Sequence, residues 1–185
     1  MNSPADESLM LEVRDGEVAR LGILFERHHR PLYNLFVRLT GNREASEDLV
    51  QEVFLRILKY RHTYRGESGF TVWLYKIAHN ARADYFRKPK REVTMPEDGF
   101  EPISEDFIAS DKLEQRQEVD LLRAALNKLS EDKREVLVLS RFQNLKYDEI
   151  AELLDCAVGT VKARVHRAIK DLRQIVLELS SERLT

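Results

Sequence analysis

Between Val161 and Val176 the apolar residues Val161, Val165, Ile169, Leu172 and Val176 fall 4, 4, 3 and 4 positions apart. That period lines them up along one side of an α-helix and scatters them over both faces of a strand, so this stretch is constrained to be a helix with one buried seam. The remaining faces carry Lys162, Arg164, Arg167, Lys170 and Arg173, five basic residues against one acid, Asp171, a local charge of +4. The whole chain has a formal net charge of −2. Positive charge is therefore gathered on one helix, the distribution that phosphate contact requires.

The residues just upstream turn that helix into a motif. Tyr147 to Leu154 predicts a short helix with Asp148 and Glu149 in its first turn and Ile150, Ala151 and Leu154 facing inward. Ala151 is small where two helices must approach closely, and Asp155 to Val158 reads as the turn. Together they predict a helix-turn-helix over Lys146 to Arg173, whose second helix lies in the major groove of DNA with its N-terminal residues at base edges. A merely amphipathic helix with a solvated basic face leaves the short helix, the turn and the alanine unexplained. Cys156 reads as a small apolar residue packed near the turn, with a redox switch as the rival reading.

Helical periodicity continues through the rest of the chain. Leu21, Leu24, Phe25, Leu32, Leu35, Phe36 and Leu39 predict a helix from Glu17 to Leu39, broken by Gly41 and Asn42. A second helix is expected from Arg43 to Tyr60, with Leu49, Val53 and Ile57 beside Val50, Phe54 and Leu58, and with Asp48, Gln51, Glu52, Arg56 and Lys59 on its exposed side. Arg61 to Gly69 reads as a loop. A third helix, Phe70 to Arg87, stops before Pro89 because the residue preceding proline resists the α region. From Glu92 to Asp120 ten acidic residues face only Lys112 and Arg116, and Pro96 and Pro102 interrupt the stretch. It reads as an acidic flexible linker whose last part, from about Ser110, joins the next helix. Leu121, Leu122, Ala125 and Leu129 belong to that helix, and Ser130 is the expected N-cap of its successor, with Glu131 and Asp132 in the first turn. The reading is all-α: two small helical domains, residues 1–91 and 121–185, joined by linker 92–120.

A second constellation lies in the third helix and just beyond it. Phe70, Trp73, Tyr75, Tyr85 and Phe86 alternate with Lys76, Arg82, Arg87, Lys88, Lys90 and Arg91. Aromatic faces can receive unstacked bases while basic side chains follow a backbone, which is the chemistry of single-stranded nucleic acid. Other classes fit less well. One cysteine excludes an intramolecular disulfide, the five histidines lack metal-ligand spacing, and no nucleophile-base pair is visible, so no metal, cofactor or catalysis is expected. The acidic, polar N-terminus and the lack of a long apolar run predict neither export nor membrane insertion, and a cytoplasmic location. A free-standing repressor gives the aromatic-basic helix no role, and a serine recombinase needs a strand-bearing catalytic domain that the periodicity does not allow.

Taken in order, DLVQEVFLRILKY, TVWLYKIAHNARADYFRKPKR and YDEIAELLDCAVGTVKARVHRAIKDLR resemble a bacterial sigma-70 family factor of the extracytoplasmic-function group, over about Phe25 to Arg173. The resemblance implies a non-enzymatic initiation factor with a region 2 and a region 4 domain, binding core RNA polymerase at the clamp helices of the largest subunit and the flap of the second largest. It implies promoter DNA and an anti-sigma factor as further partners, and a place in stress response. Asp48, Gln51, Glu52 and Arg56 match the polymerase-binding surface. Tyr64, Trp73, Tyr75, Asn80, Arg82, Arg87 and Lys88 match the segment that reads and melts the minus-10 element, Asn80 having an amide able to pair with a base edge. Within the helix-turn-helix, from Tyr147 to Arg167, Thr160, Lys162, Ala163, Arg164 and Arg167 match the readers of the minus-35 duplex. Asp155 and Ala157 depart from the glycine and proline usual in that turn, and the tolerance of aspartate for the left-handed region keeps the turn intact. The linker, by the same resemblance, threads the polymerase toward the active-site cleft and RNA exit channel, with a plain tether as the alternative.

Overall fold

Gly41 and Asn42 show how single residues divide this chain into helices. In the computed structural model, which describes residues 5–67, 69–87 and 112–182, α2 (Leu21–Thr40) ends where Gly41 adopts φ +69° and its N–H bonds the Val37 carbonyl at 2.9 Å. Asn42 is extended, and its Oδ1 accepts from the Ala45 N–H at 2.9 Å, capping α3 (Arg43–Tyr60). The bounds of α3, and those of α4 (Phe70–Arg87), are the ones the periodicity predicts. Between them lie a 3-10 turn, Arg61–Thr63, and a loop in which Gly66 takes φ +75°.

The start of the chain differs from expectation. A helix, α1 (Asp6–Arg14), precedes α2, and Leu9, Met10 and Val13 are wholly buried. The Asp6 carboxylate holds α1 to α2 by accepting from Arg27 Nη1 at 2.5 Å and meeting His28 Nε2 at 2.6 Å. Gly16, at φ +117°, and a 3-10 turn at Val18–Arg20 then reverse the chain, so α2 begins at Leu21 and not at Glu17.

The C-terminal half holds α5 (Lys112–Lys128), α6 (Glu131–Arg141), α7 (Tyr147–Leu153) and α8 (Val158–Glu182). Leu126, Leu129, Leu137 and Ala168 form a local core beneath half-buried Leu122, Leu172 and Ile175. Ser130 precedes α6, but its side chain makes no capping bond; its carbonyl accepts from the Arg134 N–H at 2.9 Å, and Glu131 and Asp132 remain to offset the helix dipole by charge. The seam expected along α8 is buried at Val161 and Val165 and only half-buried at Ile169, Leu172 and Val176, because the helix outruns its neighbours.

The two halves touch. One apolar cluster runs from α1–α4 into α6, α7 and the first turns of α8, and α7 lies against α4. Leu35, Phe36, Leu39, Tyr75, Leu139 and Leu153 line a small cavity on that seam. Among the described residues there is no strand, and no helix is long and apolar enough to cross a membrane.

Candidate nucleic-acid interface

The recognition helix is set by its turn. Asp155 takes φ +50°, the left-handed conformation that the turn requires, and the Cys156 N–H bonds the Ala151 carbonyl at 3.0 Å. Ala151 is buried, as close approach of α7 demands. Glu149 accepts from the Lys146 N–H at 2.7 Å and so ties down the start of α7. On α8, Lys162, Ala163, His166, Arg167, Lys170 and Arg173 are exposed, while Thr160 and Arg164 are half-buried at the rim of the same surface. Arg167 Nε donates to the Ala163 carbonyl at 3.3 Å. The acid among these bases, Asp171, is bonded by Lys133 of α6, which neutralises it and leaves the basic face uninterrupted. Cys156 is half-buried against the apolar cluster.

On α4 the expected DNA residues divide into two faces. Lys76, Asn80, Ala83 and Arg87, spaced 4, 3 and 4 apart, form one exposed row, with Phe86 exposed beside it at 57%. Arg87 pairs with Asp84, and its side chain is 80% exposed. Lys88 lies outside the described residues, as do Lys90, Arg91 and the acidic stretch up to 111.

The other expected contacts are covered. Arg82 is 4% exposed, donating to Glu131 and lying 3.1 Å from Glu135 across the seam. Tyr75 is buried too, its Oη donating to Gln143 Oε1 at 2.6 Å, and burial pushes its hydroxyl up to about 12. Tyr64 is buried with its ring 5.1 Å from that of Trp73 and 6.3 Å from that of Phe70; its Oη has no hydrogen-bond partner. Trp73 is half-buried beside it. The aromatic-basic pattern pointed Arg82 at nucleic acid because sequence spacing cannot foresee that a second domain covers that face.

On α3, Asp48 and Gln51 are exposed and Glu52 is half-exposed, as a docking face needs. Arg56 differs: its Nε meets Glu52 at 2.6 Å and its Nη1 meets Asp84 of α4 at 2.9 Å, so it braces two helices and does not project outward. Sequence reasoning also missed the partners of the covered face. His79, three residues before Arg82, and Glu131 and Glu135, one helical turn apart, are the signal that was there to read. Among the described residues no group of three or more His, Cys, Asp or Glu side chains could hold a metal ion.

Comparison with known proteins gives this geometry a context. Residues 24–92 match the family described as Sigma-70 region 2, and residues 120–172 match Sigma-70, region 4. The chain is 31% identical over 177 residues to the ECF RNA polymerase sigma-E factor of Escherichia coli strain K12, covering 88% of this chain and 90% of that one. It is 34% identical over 140 residues to the ECF RNA polymerase sigma factor EcfG of Rhodopseudomonas palustris strain TIE-1, covering 76% of each. Among solved structures it is similar to the sigma factor RpoE in complex with the anti-sigma factor NepR from Bartonella quintana, with TM-score 0.69 at 25% identity over 84% of this chain and 95% of that one. It shares its fold with CnrH, solved with the cytosolic domain of CnrY, at TM-score 0.71 and 22% identity over 94% of this chain and 97% of that one. With both regions present in order, and relatives above 30% identity spanning most of its length, the chain belongs to the extracytoplasmic-function group of the sigma-70 family, transcription initiation factors that are not enzymes and that direct RNA polymerase to promoters.

Proposed function

We propose that the factor reads its promoters through two separate helices, the exposed row of α4 at the minus-10 element and the basic face of α8 at the minus-35 element. The observation that carries this reading is the pair of surfaces themselves: Lys76, Asn80, Ala83 and Arg87 on one helix, and Lys162, Ala163 and Arg167 with rim residues Thr160 and Arg164 on the other. Asn80 offers donor and acceptor to the edge of an unstacked base, and the basic residues of α8 follow the duplex backbone and reach its major groove. Trp73 supplies a stacking face at the end of the α4 row, with Tyr64 packed behind it as support. Tyr75 and Arg82 reach DNA only once the C-terminal domain has moved away. Asp48, Gln51 and Glu52 dock the clamp helices of the polymerase, with Arg56 fixing the angle of α3 on α4.

The working division is residues 1–91 for polymerase and minus-10 contacts, 92–120 as linker and 121–185 for the minus-35 contact. The linker's first part lies outside the described residues, and α5 takes up its end from Lys112. An anti-sigma factor is a further partner, supported by the company in which a similar sigma factor was solved, RpoE with the anti-sigma factor NepR. The protein works in the cytoplasm, where the polymerase is.

Run-off transcription with purified core polymerase and a promoter library tests the reading. Promoter-dependent RNA from a subset of the library is expected, with loss of minus-35 selectivity in Arg164→Ala and of strand opening in Asn80→Ala. Transcription that neither substitution alters would overturn the assignment of the two helices.

A further inference from the structure

We propose that Arg56 of α3 is a positioning residue for the DNA side of the domain: it cancels the charge of the Asp84 carboxylate on α4 and so leaves Arg87 available to a strand phosphate. The proposal rests on the reading of the exposed α4 row as the minus-10 surface, and it gives Arg56 a role apart from the polymerase contact that the resemblance implies.

Asp84 is the single acidic residue of α4, and it stands where a surface meeting a polyanion has least use for one. It follows Asn80 by four residues and precedes Arg87 by three, spacings that make neighbours on a helix surface. A carboxylate in that position repels the phosphates of an approaching strand. It also competes with them for Arg87, because a guanidinium offers a carboxylate the same fork of N–H donors that it offers a phosphate. Arg87 Nη2 already donates to Asp84 Oδ1.

The counter-charge comes from the helix packed behind. Arg56 Nη1 donates to Asp84 Oδ2 at 2.9 Å, so the two carboxylate oxygens are divided between two guanidiniums. Those two differ in burial: the Arg56 side chain is 19% exposed and the Arg87 side chain 80%. Arg56 is fixed further through its Nε, which donates to Glu52 Oε1 at 2.6 Å, one turn earlier on α3. Burial works against its charge, but its bonds to Glu52 and Asp84 and their charges outweigh this and raise it above the usual guanidinium value, so Arg56 is a permanent cation.

That asymmetry decides what happens when a strand arrives. An exposed ion pair contributes little, because water screens it and the long side chain gives up rotamers to keep it. Arg87 therefore turns from Asp84 to a phosphate at small cost, while Arg56 stays between its two acids. Asp84 is still paired after Arg87 has left. Without Arg56, Asp84 holds Arg87 more tightly and repels the strand more strongly once it has gone. The other reading helix is arranged alike: Asp171, the acid among the bases of α8, is bonded by Lys133 from the neighbouring α6.

The test measures binding of a fluorescent single-stranded minus-10 oligonucleotide, taken from a run-off-selected promoter, to holoenzyme assembled with saturating core polymerase. At 0.1 M salt, where charges more than about 10 Å from the strand are largely screened, Arg56→Gln is expected to weaken binding by about 3-fold or more. Adding Asp84→Asn removes the stray charge and should restore affinity to within about 2-fold of the parent. If Arg56 acted only as a brace between the helices, the second substitution would leave binding as low or lower. A double variant as weak as Arg56→Gln therefore overturns the proposal, as does Arg56→Gln that binds like the parent. Arg56→Lys keeps the charge without the two-pronged grip and should bind within about 2-fold of the parent, and Asp84→Asn alone should bind at least as tightly as the parent. Those two variants decide the matter if Arg56→Gln does not fold, and a loss of about 3-fold in either overturns the proposal. Arg87→Ala separates the inference from the reading beneath it: it should weaken binding and reduce the salt slope by about 0.7, the share of one phosphate on a single strand. If it does neither, the assignment of α4 to the strand is what failed; if it does both while Arg56→Gln changes nothing, the role of Arg56 alone has failed.

Discussion

Arg82 of α4 and Glu135 of α6 meet across the domain seam, Nη2 to Oε1 at 3.1 Å, with both side chains buried. Burial works against the charged form of Glu135, but the hydrogen bond from His79 and the charge and hydrogen bond of Arg82 outweigh it and hold its carboxyl below the usual carboxylate range. A depressed folded-state value means that the unfolded chain binds the proton more readily. The stabilisation is therefore complete above the ordinary value of 4.5 and is lost as pH falls through the depressed one. Glu135→Gln is expected to lower unfolding stability at pH 7 by at most about 3 kcal/mol, since parting of the domains lets Arg82 recover water. Denaturant titrations should show the gap between variant and parent closing as pH falls below the ordinary 4.5 and through the depressed value; a gap that widens on acidification contradicts the sign.

The two reading helices should fail differently. Arg164→Ala weakens binding of holoenzyme to the minus-35 duplex by about 1–3 kcal/mol and relaxes its selectivity there, whereas loss of a phosphate contact alone weakens all sequences alike and mainly reduces the salt slope. Asn80→Ala leaves duplex binding nearly intact and impairs open-complex formation, measured as reactivity of unpaired thymines to permanganate. Equal loss in both assays for both variants would contradict the division of labour.

The turn of the helix-turn-helix offers a stability test. Asp155 is held at φ +50° and is exposed. Glycine adopts that conformation without Cβ strain, so Asp155→Gly should leave thermal stability unchanged or raise it by up to about 1 kcal/mol, while Asp155→Val should lower it by about 1–2 kcal/mol. Melting followed by circular dichroism separates the three proteins.

Tyr64 is buried with an unpartnered hydroxyl against Phe70 and Trp73. Removing a hydroxyl that has no hydrogen bond to lose is nearly neutral, so Tyr64→Phe should hold the melting temperature or raise stability by about 1 kcal/mol. Tyr64→Ala should cost about 3–5 kcal/mol by leaving a cavity behind Trp73. Promoter opening that collapses in the phenylalanine variant at unchanged stability would show that the hydroxyl meets DNA.

What could be read from the sequence, and what could not, follows from the range of each signal. The bounds of α3 and α4, the break at Gly41 and Asn42 and the left-handed Asp155 are properties of neighbouring residues, and local rules reach them. α1 escaped because Leu9, Met10 and Val13 are too few to mark a period in an acidic segment; their burial depends on α2 and the loop before α4. Arg56 was expected on the exposed side of α3, and Tyr75 and Arg82 at DNA, because neither periodicity nor residue type says what lies over a helix face. Of the α4 residues expected to meet DNA, Asn80 and Arg87 are exposed while Tyr75 and Arg82 are turned toward the protein's own C-terminal domain.

Arg134 joins the halves at a second point, away from that pair. Its Nη1 donates to the Leu39 carbonyl at the end of α2, at 2.9 Å, while its Nη2 donates to the Asn127 and Leu129 carbonyls at the end of α5, at 2.7 and 3.1 Å. A cation gathered at two helix C-termini offsets both dipoles. When the halves separate, Arg134 keeps the two bonds within its own domain and surrenders one, so α2 takes a water in place of a guanidinium and neither domain has to refold. Exchanging that bond for water leaves both helix ends satisfied, so what resists parting of the halves is the shared apolar cluster and the contacts of Tyr75, His79 and Arg82.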